Sequence, residues 1–468
     1  MTRRGCLART LGGLLALLLL LLAWLFLAPR PRDWDWQYHD AVAAQGSWDS
    51  PYPATVRLEV APQDALADVP LAVRVTGLRP RQRVGLRAWT VDKDGRRWET
   101  SGIWQADAAG AVDLSRDRPL RAPFTEPDPS ALLTAMRPVS PAAHPLFLAP
   151  TDRLPAYRVH IRAEAGGRVL AEMAITRRHV ARGVSCTEVR EGDLVGVYCL
   201  PPGDSPFPAV LVLGGSEGDI PRIWPAWWAS HGVAALGLAY FGVEPLPPNL
   251  VHIPLERFLR AVDWLRDRPA VDAERVFVWG VSRGSEAALL TAAYHPGVAG
   301  VIAVSPSSVV WSGLDFSQGP RSAWTYRGRP LPFLTTALSL DYLRMGLGIP
   351  VALRDEFERG LRKATEEVFI PVERVRGPVL LIAGTDDRLW PSDVFVRQME
   401  ERLAARGFSH PVRTVVVEAA GHAFSPFLEP PVRVVPPLVL GGNREANLHL
   451  AREGTAAMLD WAAALFGP

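Results

Sequence analysis

The 468-residue sequence reads as an N-terminal β-sandwich followed by a larger α/β unit, built on a mostly parallel sheet with helices on both faces. From residue 54 to about residue 178, short runs of alternating apolar and polar residues recur between turn signals, as in Thr55-Val56-Arg57-Leu58-Glu59-Val60 and Leu71-Ala72-Val73-Arg74-Val75. Evenly spaced runs of period two predict half-buried strands and a sandwich of immunoglobulin-like type. After about residue 181 the runs become continuously apolar and alternate with helical periodicity, which predicts parallel strands buried on both faces. A third observation is local. Gly280-Val281-Ser282-Arg283-Gly284 stands between the apolar run 275–279 and a helical run beginning at Ser285.

The first 30 residues have a different character. Arg3, Arg4 and Arg9 precede an uncharged, leucine-dominated stretch over residues 11–28, long enough for one membrane crossing. Arginine ahead of the stretch predicts a cytoplasmic N-terminus with the remainder outside. Its end, Phe26-Leu27-Ala28-Pro29, lacks a clean small-x-small cleavage site. The expectation is therefore a transmembrane anchor at residues 1–30 and a linker at 31–53, with the catalytic part outside the cytoplasm. A cleaved signal peptide, leaving a secreted or periplasmic protein, is the alternative. Elsewhere the chain is ordinary globular material, 48% hydrophobic and 21% charged. Its 51 Lys and Arg balance 49 Asp and Glu without a basic tract, which argues against nucleic acid as a partner.

Residues 54–180 form the sandwich domain, with Asp92-Lys93-Asp94-Gly95 as a hairpin-type turn and late strands at 157–163 and 169–175. Nothing there has catalytic spacing, so a structural or substrate-shaping role is expected. Residues 181–468 form the catalytic domain. It opens with strands at 184–190 and 194–200 joined at Glu191-Gly192-Asp193, and about that turn Cys186 and Cys199 fall opposite each other. Cross-strand neighbours lie about 4.5–5.5 Å apart at Cβ, close to what a disulfide requires. Such a bridge fits an oxidising compartment. Two buried free thiols are the alternative.

The strand Ala209-Val210-Leu211-Val212-Leu213 leads into Gly214-Gly215-Ser216-Glu217-Gly218, and residues 233–238 lead into Ala239-Tyr240-Phe241-Gly242. A helix follows at 255–266, then the strand before Gly280, and further strands at 300–304, 378–383 and 413–417. Residues from about 305 to 370 lack clear strands and sit between sheet strands. They read as an insertion over the active site, the natural place for acyl-group selection.

Strand, G-x-S-x-G, helix is the context of a nucleophile elbow in an α/β hydrolase, which makes Ser282 the candidate nucleophile. A serine needs a base, and the base needs an orienting carboxylate, in the chain order nucleophile, acid, base. Asp387 follows one strand in Gly384-Thr385-Asp386-Asp387, and His422 follows the next in Ala420-Gly421-His422. Asp386 competes with Asp387. The G-x-x-D spacing after the strand, with Pro391 beyond, selects Asp387. An oxyanion needs two backbone donors, here the Arg283 amide and an amide at Ser216 or Glu217. The remaining histidines show no ligand spacing, so neither metal nor cofactor is expected.

These phrases together resemble a known family, the acyl-CoA thioesterases related to bile acid-CoA:amino acid N-acyltransferase. The resemblance covers nearly everything after residue 54. Val69-Pro70-Leu71-Ala72-Val73-Arg74-Val75-Thr76-Gly77-Leu78 carries it in the first domain. Gly214 to Gly218, Leu238-Ala239-Tyr240-Phe241, the elbow, Phe369-Ile370-Pro371-Val372-Glu373, Gly384 to Trp390 and Gly421-His422 carry it in the second. The resemblance implies a Ser/Cys-His-Asp triad, which falls on Ser282, His422 and Asp387. It also implies that serine marks the thioesterases and cysteine the enzymes that pass the acyl group to an amino acid. The expectation is a serine thioesterase acting on acyl-CoA, fatty acyl-CoA above all. An outward-facing leader conflicts with a CoA substrate, so a membrane-tethered carboxylesterase or acyltransferase on a non-CoA acyl ester or thioester is the alternative, and a non-catalytic binding module a third.

Overall fold

The computed structural model describes residues 56–140, 146–147, 156–315, 319–337 and 339–466. Two antiparallel-rich sheets make up the first unit. One has six strands, in the order Asp64–Leu66, Arg168–Arg178, Ala156–Ala165, Arg83–Val91, Arg97–Gln105 and Arg137–Pro138. The other has three: Arg57–Ala61, Ala72–Thr76 and Val112–Asp113. Alternation puts one face of each sheet inside: Val84, Leu86 and Ala88 are buried while Arg83 and Val91 are exposed. With Val73, Val75, Trp98, Trp104, Val159 and Ile161 they fill a shared core. The two-sheet expectation is met, but the strand order lends no support to an immunoglobulin arrangement. Asp64–Leu66 pairs parallel to Arg168–Arg178 at one edge, and the division is six and three strands; an immunoglobulin sandwich divides about four and three.

The second unit is organised by an eight-stranded sheet, whose strands are β1 Ser185–Glu191, β2 Leu194–Leu200, β3 Phe207–Leu213, β4 Ala234–Ala239, β5 Val271–Val281, β6 Val301–Val304, β7 Val379–Gly384 and β8 Val412–Val417. Their order is β1-β2-β4-β3-β5-β6-β7-β8. β2 is antiparallel to both neighbours, and β4 through β8 run parallel. In the β1–β2 hairpin Cys186 pairs with Cys199 at a Cα separation of 4.1 Å, and the two are joined as a disulfide.

The helices in chain order are α1 Ile223–Ser230, α2 Leu255–Arg266, α3 Arg283–Tyr294, α4 Leu340–Gly346, α5 Arg354–Leu361, α6 Ser392–Ala405 and α7 Arg444–Phe466. Strand alternation decides which face each covers. Leu211, Leu213, Val276, Val278 and Leu381 pack with Phe258 of α2, Leu289 of α3 and Met399 of α6. Val210, Val212, Phe277, Trp279 and Leu380 pack on the other face with Trp227 and Trp228 of α1 and Met458 and Trp461 of α7. Both faces are dry, which is why these strands read as unbroken apolar runs.

The first unit docks on the α1 face. Asp68 accepts from Trp227 Nε1 (2.7 Å) and meets His231 Nε2 (2.7 Å), while His179 Nε2 meets Glu429 (2.6 Å). Burial works to raise the Asp68 carboxyl, yet the His231 and Trp227 bonds outweigh it and hold the group below its ordinary value.

Between β6 and β7 lies the insertion. It is less strand-free than expected: Trp324–Tyr326 pairs parallel to Ile253–Pro254 and antiparallel to Arg329–Pro330. Strands of two or three residues leave no periodicity to read.

One expectation is corrected. The anchor at residues 1–30 and the linker at 31–53 lie outside the described residues, and among the described residues no helix is long and apolar enough to cross a membrane. A membrane-anchored localisation therefore has no support. Even the 23-residue α7 carries Arg444, Glu445, Arg452, Glu453 and Asp460 along its length.

Candidate active site

Ser282 stands where β5 turns into α3, with φ 55° and ψ −124°, a conformation rarely adopted by a residue with a side chain. The surroundings enforce it. The Ser282 amide donates to Val304 O (2.9 Å) on the neighbouring strand. A Cβ on Gly280 would lie 2.1 Å from Gly284 O, and one on Gly284 would lie 2.1 Å from Gly214 O and 2.2 Å from Leu213 O. Only glycine lets the elbow close on itself and lets α3 press against the loop after β3.

The structure brings together the three residues that the sequence picks out. His422 Nε2 lies 2.9 Å from Ser282 Oγ, and His422 Nδ1 lies 2.8 Å from Asp387 Oδ2. Asp387 has no exposed surface, and its second oxygen accepts from the amides of Leu389 (3.0 Å) and Trp390 (3.2 Å). Asp386 turns the other way, onto Arg388 Nε (3.0 Å) and the Gly442 amide (2.9 Å). Of the two carboxylates, it is that of Asp387 that faces the imidazole. Asp387 and His422 come from different loops, and a strap at residues 438–442 ties them. His422 N and Arg388 N both donate to Leu440 O (2.8 and 3.3 Å), and Asp387 forms a bridge with Gly441.

The loop after β3 reaches Ser282: a Cβ on Gly215 would lie 3.4 Å from Ser282 Cβ. Tyr240, fully buried, sends its hydroxyl to Gly214 O (2.6 Å) and Gly215 O (2.5 Å). Burial first, and the Glu217 charge after it, push the phenol well above its ordinary value, so it stays a donor. A trans peptide points its N–H opposite its C=O, so this hold turns the Ser216 amide away from Tyr240. The Ser216 and Glu217 side chains are exposed. The Arg283 amide opens α3, beside Ser282.

Several residues around the site escaped the sequence reading. Trp390 packs edge-on against His422 at 5.7 Å and donates Nε1 to Ser305 O (3.2 Å), while Ser305 Oγ donates to His422 O (2.7 Å). Asn447 Oδ1 accepts from the Gly421 amide (2.8 Å). Arg283 and Glu286 form an ion pair (2.7 Å) with side chains 5% and 0% exposed. Their i, i+3 spacing was readable, but in sequence it looks like an ordinary surface pair.

A serine at the strand-to-helix turn after β5, and an aspartate and a histidine on the loops after β7 and β8, stand in hydrogen-bonded sequence on an α/β-hydrolase fold. The chain belongs to the acyl-CoA thioester hydrolase/BAAT family. Residues 68–191 match the family's N-terminal region and residues 253–443 its C-terminal region. It is 31% identical over 376 residues to acyl-coenzyme A thioesterase 6 of Mus musculus, covering 79% of this chain and 85% of that one. It is 30% identical over 384 residues to acyl-coenzyme A thioesterase 1 of Rattus norvegicus (81% and 86%). To the peroxisomal succinyl-coenzyme A thioesterase of Mus musculus it is 29% identical over 371 residues (78% and 83%). Among solved structures, puromycin hydrolase aligns over 88% of this chain and 68% of its own, at 14% identity and a TM-score of 0.41.

Proposed function

We propose that this chain hydrolyses acyl-CoA to the free acid and CoA through an acyl-Ser282 intermediate. The unbroken run from Asp387 through His422 to Ser282 carries the reading, in a chain whose relatives are named as acyl-CoA thioesterases. Ser282 Oγ attacks the thioester carbonyl as His422 Nε2 takes its proton. The oxyanion is received by the Arg283 amide and an amide at Ser216 or Glu217. The C–S bond breaks, His422 returns the proton to the CoA sulfur, and water repeats the sequence on the acyl-serine ester. Asp387 holds the imidazole in the tautomer that accepts from serine and stabilises the imidazolium.

Serine favours hydrolysis over amine transfer. An acyl-serine ester lacks the amine reactivity of an acyl-cysteine thioester, and Cys186 and Cys199 are bonded to each other in the β1–β2 hairpin. The fatty acyl part of the reading rests on two partly exposed apolar side chains near Ser282 and His422. Val281 precedes the nucleophile, and Trp224 stacks at 5.9 Å on Phe424, two residues beyond the base. The test is the purified protein with a panel of acyl-CoAs, simple esters and amine acceptors. Ser282→Ala is expected to lower kcat by about 10⁴-fold or more. Turnover of esters but of no CoA thioester would overturn the substrate reading.

A further inference from the structure

Two charges with no part in the chemistry above are buried within the first turn of the nucleophile helix. Arg283 and Glu286 lie one and four residues after Ser282, their side chains are 5% and 0% exposed, and Nη1 meets Oε2 at 2.7 Å. Burial pushes the Glu286 carboxyl up, against the Arg283 charge and two hydrogen bonds that pull it down. Such a pair is poor material for stability, because two well-packed apolar side chains commonly do as well or better. Its other bonds show where its effect goes. Glu286 Oε1 accepts from the Trp311 amide (3.1 Å) and Trp324 Nε1 (2.6 Å). Arg283 Nη2 donates to the carbonyls of Ser312 (3.1 Å) and Trp311 (3.4 Å), and the guanidinium lies 5.9 Å from the Trp324 ring centre. Every one of these partners belongs to the insertion between β6 and β7.

Trp311 passes the connection on. It meets Phe357 edge-on at 4.7 Å, Phe357 meets Trp390 at 5.7 Å, and Trp390 meets His422 at 5.7 Å. Trp390 is also the residue whose amide donates to Asp387. The pair is thus joined at one end to the helix that carries Ser282 and the Arg283 amide. At the other end it is joined to the aromatic group packed behind the base.

We propose that the Arg283 and Glu286 side chains are positioning residues, a buried ionic strut that fixes the insertion on the nucleophile helix and, through Trp311, Phe357 and Trp390, sets His422 against Ser282. The proposal rests on Ser282 being the nucleophile, but not on the identity of its substrate. The strut touches no reacting atom. It acts through the distance between two groups that must stay in register, where about 1 Å of misplacement can cost 10²-fold in rate.

The experiment reads Ser282 activation directly, by its rate of reaction with an alkyl fluorophosphonate. In that reaction the Oγ–P bond forms, fluoride leaves, and the serine proton passes to His422. Two variants of the full chain are compared with the parent. Glu286→Gln keeps the volume and an acceptor for Trp324. The double variant Arg283→Met/Glu286→Leu removes both charges and so relieves the burial cost while leaving the insertion untied. Both are expected to label at least about tenfold more slowly, with kcat on acyl-CoA falling in parallel and KM within about twofold. The double variant is expected to melt no lower than Glu286→Gln. Labelling within about twofold of the parent, in whichever variant folds, would reduce the pair to a stability element and overturn the proposal. Brisk labelling of a parent that hydrolyses no CoA thioester would overturn the substrate reading alone and leave the strut to be decided by the variants.

Discussion

Replacing Asp387 by asparagine isolates the tautomer control that the proposed mechanism assigns to it, because the structure dictates how the new amide must sit. One aspartate oxygen accepts from two backbone amides, Leu389 N at 3.0 Å and Trp390 N at 3.2 Å, and the other lies 2.8 Å from His422 Nδ1. Because Asp387 has no solvent-accessible surface, the oxygen of the introduced side-chain amide has to stay on the two N–H donors, since its NH₂ there would face donors with a donor. The NH₂ group then points at Nδ1. That nitrogen must become an acceptor, so the imidazole proton moves to Nε2, which can no longer take a proton from Ser282. The expected loss is about 10⁴-fold in kcat, or roughly 5.4 kcal/mol of barrier, the size seen where this exchange leaves a triad's geometry intact. The assay is the rate of thiol release from saturating acyl-CoA at neutral pH, with Asp386→Asn as the control. Asp386 faces Arg388 and the Gly442 amide, so its variant should stay within about tenfold of the parent. A severe loss in Asp386→Asn beside a mild one in Asp387→Asn would refute the reasoning.

The elbow supplies a second test. Gly284→Ala would put a Cβ 2.1 Å from Gly214 O and 2.2 Å from Leu213 O, both backbone atoms, so the helix and the loop after β3 must part. About 3 kcal/mol of stability should be lost by denaturant titration, with slower hydrolysis in the fraction that folds. The docking of the first unit should respond to acid through Asp68. Its folded pKa lies below the ordinary 3.8, so the stability it contributes is present above that value and lost as pH falls through the depressed one. Asp68→Asn should flatten the acid limb of a stability-against-pH curve, and an unchanged limb would remove Asp68 from the account.

Legibility in the sequence followed the physics of each segment. The parallel strands were readable because burial on both faces leaves runs such as Ala209 to Leu213 apolar throughout. The elbow was readable because its two glycines and serine sit at fixed offsets, and the order Ser282, Asp387, His422 followed from where loops leave a parallel sheet. The choice between Asp386 and Asp387 rested on a spacing argument alone, whereas the fold separates them by direction, one side chain toward His422 and the other toward Arg388. What escaped was non-local. The edge strand Asp64–Leu66 has three residues and pairs with residues 176–178, far away in the chain. The burial of Arg283 and Glu286 depends on Trp311 and Trp324 arriving from the insertion, which no periodicity announces. The reading of the leader as a bilayer span rests on leucine-rich composition alone, and it falls outside the described residues.

The strap at residues 438–442 has a consequence for how the protein is made. Its backbone is bonded to both the acid loop and the base loop, and it comes after Ser282, Asp387 and His422 in the chain. The nascent polypeptide therefore carries Ser282, Asp387 and His422 before the segment bonded to two of their loops has been made.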